Sequence, residues 1–279
     1  MKKTLLVLII SILIASCSTV PITGRKSMNF IPENQMNSMS FSQYDEFLKT
    51  HKLSKDKAQI KMVKSVGLKI QKAVEQYYAD NKISNQLSGY EWEFNLVEDE
   101  QVNAWCMPGG KVVFYTGILP VTQTEAGLAV VMGHEIAHAI CEHGGERMSQ
   151  GMLANLGGMA LATAMQDKPE KTQQAWMAAF GLGAQFGVML PFSRMHESEA
   201  DHLGLVFMAM AGYDPAEAVE FWERMSALKG GQAPPEFMST HPADATRIAD
   251  LKELLPEALK YYKIPAGSNI KSKKKISGE

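Results

Sequence analysis

The sequence predicts an α+β fold, mostly α-helical, with a small antiparallel sheet beside one buried helix. Three observations carry this. Apolar residues recur at helical spacing with lysines between them, as at Ile60, Val63, Ile70, Val74 and Tyr77. Two short stretches behave as strands instead. Tyr90, Trp92, Phe94 and Leu96 alternate with polar residues, and "NAWCMPGGKVVFYTGIL" (103–119) reads as strand, Pro-Gly-Gly turn and strand. Finally, the run "GLAVVM" leads straight into "GHEIAHAICEHGG" (133–145), which puts ionisable side chains on a helix of core character.

Taken in order, residues 1–16 have the form of a secretion signal. Lys2 and Lys3 precede an apolar stretch from Leu5 to Ala15, broken only by Ser11 and too short to span a bilayer. The stretch "LIASC" ending at Cys17 resembles a bacterial lipobox, in which the cysteine is acylated and becomes the mature N-terminus. Ser18 after it is compatible with export to an outer membrane. Residues 17–32 then form a lipidated, irregular tether, 33–262 one domain, and 263–279 a basic disordered tail. Cys106 and Cys141 are the remaining cysteines, and an oxidising compartment would let them pair. With 279 residues, 46% of them hydrophobic, the chain can bury one sizeable core. A net charge of −2 excludes an extended basic surface for nucleic acid.

A helix is expected from Thr122, where Thr122 and Glu125 have capping-box spacing, to His143, where Gly144 and Gly145 are stop signals. Residues 151–190 are rich in Ala, Gly, Met and Leu and are split by "QDKPEKTQQ"; they predict a helical hairpin outside the membrane. Helices are expected over 194–211, from Asp214-Pro215 to about Leu228, and over 243–262, with a loop at 230–242.

His134 and His138 are four apart, so both imidazoles leave one helix face about 6 Å apart along the axis. Two ring nitrogens can then meet one ion at about 2 Å. Glu135, rotated by about 100°, reaches the ion's open side and can hold a water there. Buried unpaired, these groups would cost several kcal/mol, so a metal is implied. His143 is nine residues after His134 and projects about 140° away from His138; it is expected to be a helix-terminus cation, solvated like Glu142. The third ligand is sought in "RMHESEADHLG" (194–204). Glu197 and Asp201 share a helix face, and Glu199 points away. One of the pair can bind the metal while the other accepts the outer N–H of a ligand histidine; geometry leaves the assignment open.

H-E-x-x-H followed about 60 residues later by E-S-E-A-D resembles the gluzincin zinc metalloproteases that include HtpX and the CAAX prenyl endopeptidases. Within that group the lipobox and soluble body are most similar to periplasmic lipoprotein members such as BepA and LoiP, as are "NAWCMPGG", "GYDPAEAVEFW" and "STHPADATRI". The resemblance implies a gluzincin metallopeptidase domain with one Zn2+ per chain, held by His134, His138 and Glu197. Glu135 becomes the general base and Asp201 the partner of a ligand histidine. It places Asn103 and Ala104 on an edge strand that pairs with an extended polypeptide substrate. It puts His241 near the zinc, where it stabilises an oxyanion, caps the resting metal, or only structures its loop. The implied function is a zinc-dependent endopeptidase of the bacterial cell envelope. It would be lipid-anchored at the outer membrane facing the periplasm, and would degrade misfolded or misassembled envelope proteins with outer-membrane assembly machinery as a partner. The rival is a chaperone-like or assembly lipoprotein whose zinc site is self-inhibited.

Overall fold

Burial is most complete on one helix. In the computed structural model, which describes residues 17–20, 23–228, 236–242 and 245–263, every residue from Gly127 to Ile140 is buried. The expected signal peptide and nearly all of the expected basic tail lie outside the described residues.

The chain opens with a short antiparallel pair, β1 (Cys17–Thr19) and β2 (Lys26–Met28), where an irregular tether is expected. Helix α1 (Glu33–Thr50) follows; its largely polar sequence gives little periodic signal. Helix α2 (Lys57–Asp80) starts at Asp56, whose carboxylate accepts from the N–H groups of Ala58 and Gln59. Of the expected stripe, Val63, Ile70 and Val74 are buried, together with Val66, while Ile60 and Tyr77 are only partly buried against the core.

The three-stranded sheet has β5 (Lys111–Tyr115) between β3 (Glu93–Val97) and β4 (Ala104–Met107). The sheet is mixed rather than antiparallel throughout. β4 and β5 form the expected hairpin across Gly109 and Gly110, both at positive φ, but β3 pairs with β5 in parallel. β5 is buried at every position and so takes the centre, leaving β4 at an edge against the central helix.

After α3 (Leu119–Thr122), the central helix α4 spans Glu125–Ile140. Its cap is Thr124, whose hydroxyl accepts from the Gly127 N–H, two residues beyond the expected start. It also ends earlier. Glu142 adopts a left-handed conformation, and α5 (His143–Met165) begins at once. Gly144 and Gly145 therefore lie inside a helix. A Cβ on Gly145 would meet Asn29 Oδ1 at 2.9 Å, so this glycine serves close packing of the N-terminal segment rather than a stop.

Helix α6 (Glu170–Ala184) returns along α5, passes through a wide turn at Gln185–Met189, and continues as α7 (Leu190–Met210). The expected hairpin forms, but its surface is strongly apolar: Leu156, Met159, Trp176, Leu182 and Phe186 are each more than half exposed. Residues 170–210 make the one helix, among the described residues, long and apolar enough to cross a membrane by length and composition. α8 (Glu217–Ala227), α9 (Glu236–Thr240) and α10 (Ala245–Ala258) close the domain over α4 and α7.

α4 and α7 cross at backbone distance. A Cβ on Gly133 would lie 2.8 Å from Gly204 O, and one on Gly204 would lie 2.9 Å from the His134 nitrogen. Only glycine permits this approach. It sets the acidic turns of α7 directly beneath His134 and His138.

Candidate metal centre

Two histidines from α4, one carboxylate from α7 and one histidine beyond α9 converge. His134, His138, Glu197 and His241 each offer an atom within 4.8 Å of all the others. Nε2 of His138 lies 3.1 Å from Nε2 of His134 and 3.2 Å from Glu197 Oε1; His134 Nε2 lies 3.4 Å from Glu197 Oε2. A tetrahedral zinc with ordinary bonds has ligand–ligand edges of about 3.3 Å, so the spacings of the two imidazoles and the carboxylate match the edges of such a site. His241 Nδ1 joins the cluster, 3.0 Å from His134 Nε2 and 2.9 Å from Glu197 Oε2.

The protonation of these groups fits a cation. Burial by itself would lower His134, yet hydrogen bonds to Asp201 and Glu197 raise it to about 9. Burial would lift Glu197, but bonds from His134, His138 and His241 hold it far below the usual carboxylate range. The donor set is thus one that holds positive charge, as proton or as metal. Burial drives His138 well below its ordinary value, which keeps its imidazole neutral.

Each of the two α4 histidines has an outer partner. Asp201 Oδ1 is 2.9 Å from His134 Nδ1, which puts the proton on that nitrogen and frees Nε2. Asp201 is itself clamped by Arg247, whose Nε and Nη2 donate at 2.7 and 2.6 Å. The guanidinium stacks 3.5 Å over Trp222 and reaches Glu197 at 3.2 Å. Sequence reasoning missed Arg247; the only signal was its place in "STHPADATRI". His143 corrects the expectation of a solvated cation. The break at Glu142 turns it inward, where it is fully buried, its Nδ1 is 2.8 Å from His138 Nδ1 and its Nε2 is 2.9 Å from Glu199. Burial lowers its pKa to about 4 despite that carboxylate. Glu199 likewise does not point away, and it meets Arg25 from the β1–β2 segment.

Glu135 is buried, and burial raises its carboxyl against the pull of His241 and His134. Its Oε1 is buried without a hydrogen-bond partner and faces His241 Nε2 at 3.4 Å. A buried carboxylate oxygen left in this way beside a set of atoms at zinc spacing fits a metal with water or substrate beside it.

Asn103 and Ala104 lie where β4 begins. The Tyr115 N–H donates to Asn103 O, so the main-chain groups of Ala104 and Cys106 alternate to the outer edge. Asn103 Oδ1 accepts from the Ala104 N–H at 2.9 Å. Next to that edge, the Phe237 N–H donates to Val102 O. Cys106 and Cys141, which an oxidising compartment would have let pair, are both free thiols: one sits on β4, the other is buried at the end of α4.

A family profile described as "Peptidase family M48" matches residues 67–255. The chain belongs to peptidase family M48. Members of this family are zinc-dependent, in agreement with the donor set. The M48 chain is 35% identical over 199 residues to the mitochondrial metalloendopeptidase OMA1 of Saccharomyces cerevisiae, covering 68% of this chain and 55% of that protein. It is 29% identical over 248 residues to the mitochondrial metalloendopeptidase OMA1 of Homo sapiens, covering 86% and 46%. To the beta-barrel assembly-enhancing protease of Escherichia coli it is 27% identical over 181 residues, covering 58% and 34%. The chain thus spans about half the length or less of these relatives. The OMA1 proteins, rather than the BepA protease expected from the motifs, share the higher identity. They also overturn the expected location in a bacterial outer membrane facing the periplasm, because these more similar relatives are named as mitochondrial.

Arg25 also ties this M48 domain's N-terminal segment to α5. It pairs with Glu146 at 2.9 Å and Glu199 at 2.8 Å. Burial would raise both carboxyls. Bonds from His196 and Arg25 hold Glu146 at about 2, and bonds from His143, Arg25 and Thr23 hold Glu199 at about 2. Their folded values lie below the unfolded ones. The stability they contribute is therefore complete above the ordinary carboxylate range and is lost as pH falls towards about 2. In the chelated protein the melting temperature is expected to fall over that window, and Arg25→Met to flatten the fall. An acid limb unchanged by the substitution refutes this.

Proposed function

We propose that this chain is a zinc-dependent endopeptidase that cleaves misfolded or misassembled polypeptides, a quality-control activity. The observation that carries the reading is Glu135, buried with an oxygen that has no hydrogen-bond partner beside His134, His138 and Glu197 at zinc spacing. When bound, zinc supplies Lewis acidity to a water and to the scissile carbonyl. The chain's own residues do the rest. Asp201 and Arg247 hold the His134 tautomer, and Glu135, its pKa raised by burial, takes a proton from the attacking water and returns it to the leaving amine. The outer edge of β4 offers the Ala104 carbonyl and the Cys106 main-chain groups to an extended substrate. That binding mode is tolerant of sequence and suits unfolded chains. Casein digestion tests the proposal: a chelator should stop it and added zinc restore it, and cleavage undiminished by chelator overturns it.

The position of His241 supports a self-inhibited resting state within the same reading. Its Nδ1 lies within 3.0 Å of both His134 Nε2 and Glu197 Oε2, and the Phe237 N–H bond to Val102 O holds the same segment beside the β4 edge. A cap worth about 1.4 kcal/mol would hold back about nine-tenths of the molecules. His241→Ala is then expected to raise basal casein turnover about tenfold. A fall in turnover would instead assign His241 to the reaction itself.

A further inference from the structure

We propose that Arg25, outside the catalytic helices, positions the metal ligand His138 through a buried chain formed by Glu199 and His143. The inference rests on the reading of His138 as a zinc ligand.

The chain of contacts is continuous. His138 Nδ1 lies 2.8 Å from His143 Nδ1, His143 Nε2 lies 2.9 Å from Glu199 Oε2, and that oxygen accepts from Arg25 Nε at 3.0 Å and Nη2 at 2.8 Å. Thr23 donates to the other oxygen of Glu199. His143 is fully buried, and His196 stacks on its ring with centroids 4.1 Å apart, so it cannot swing out to another partner.

Hydrogen-bond direction follows from one boundary condition. Glu199, fixed by a guanidinium, can only accept, so the proton of His143 sits on Nε2. His143 Nδ1 is then an acceptor, and the facing Nδ1 of His138 must be the donor. A neutral His138 protonated on Nδ1 presents a bare Nε2, the atom that faces His134 and Glu197. Arg25 thus selects, two side chains away, the tautomer of His138 able to bind a metal. It is the counterpart on the second histidine of what Arg247 and Asp201 do on the first. Arg25 lies between β1 and β2, so docking of the N-terminal segment and competence of the metal site are coupled.

The test uses the whole chain, with zinc affinity measured by chelator competition and tautomers read from imidazole 15N–1H spectra of the zinc-loaded protein. Arg25→Gln and Glu199→Ala should each weaken zinc binding about tenfold or more, and Arg25→Lys should recover part of the loss. The zinc-loaded wild type should show protons on His138 Nδ1 and His143 Nε2. Wild-type zinc affinity in both Arg25→Gln and Glu199→Ala overturns the proposal. So does a proton on His143 Nδ1, a readout that stands even if a variant fails to fold. His138→Ala separates the two levels: if it binds zinc like the wild type, the ligand assignment has failed and not only this coupling.

Discussion

Glu135→Gln is expected to lose casein cleavage by roughly 10²- to 10⁴-fold while retaining zinc. The amide is nearly isosteric and still fills the buried space next to His241 Nε2. It cannot accept a proton from water, which is the single property the substitution removes. Glu135 is not among the convergent atoms of His134, His138, Glu197 and His241, so zinc content by atomic absorption should match the wild type. Melting temperature should hold or rise slightly, since burial raises this carboxyl and disfavours its charged form. Turnover within a few-fold of wild type would remove Glu135 as the base. Loss of zinc would make it a ligand.

The second large effect is on stability. Arg247→Met leaves the charge of Asp201 buried without its bidentate partner and removes the stack on Trp222. Breaking a buried charge pair in this way costs about 3–5 kcal/mol. For a domain of this size that corresponds to a fall in melting temperature of about 10 °C. The fall should be larger in chelated protein than in zinc-loaded protein, because the ion offsets part of the exposed charge on Glu197. Arg247→Lys should recover little, since an ammonium cannot make two parallel bonds to Asp201 or stack as a plane. A shift below 2 °C in both states would mean that Arg247 carries no structural charge balance.

What could be read from the sequence follows how local each interaction is. His134, Glu135 and His138 are set by one helix turn, and Glu197 with Asp201 by another, so spacing exposes them. Arg247 and Arg25 meet their partners across 46 and 174 residues, and no local pattern encodes such contacts. His143 was legible as a residue but not as a direction. The break at Glu142 rotates it away from the helix on which its angle is reckoned, and a left-handed residue that is not glycine leaves little trace in sequence. The mixed sheet escaped for a similar reason: alternation marks strands, but the burial of β5 on all sides decides which strand lies in the middle. Polar α1 gave no apolar rhythm, because it is covered chiefly by the sheet side and buries Asn37, Ser40 and Tyr44.

The contact of Gly133 with Gly204 has one more consequence. It joins the helices that carry His134, His138 and Glu197 at a point where neither has a side chain, so their register is that of two backbones pressed together. The chain between them, from Met152 to Met189, is an excursion that leaves this junction and returns to it. Lengthening or shortening such an excursion changes closure entropy only logarithmically. The junction can therefore carry very different inserts while the atoms of His134, His138 and Glu197 stay in place, and a chain built this way can change what it touches without disturbing that cluster.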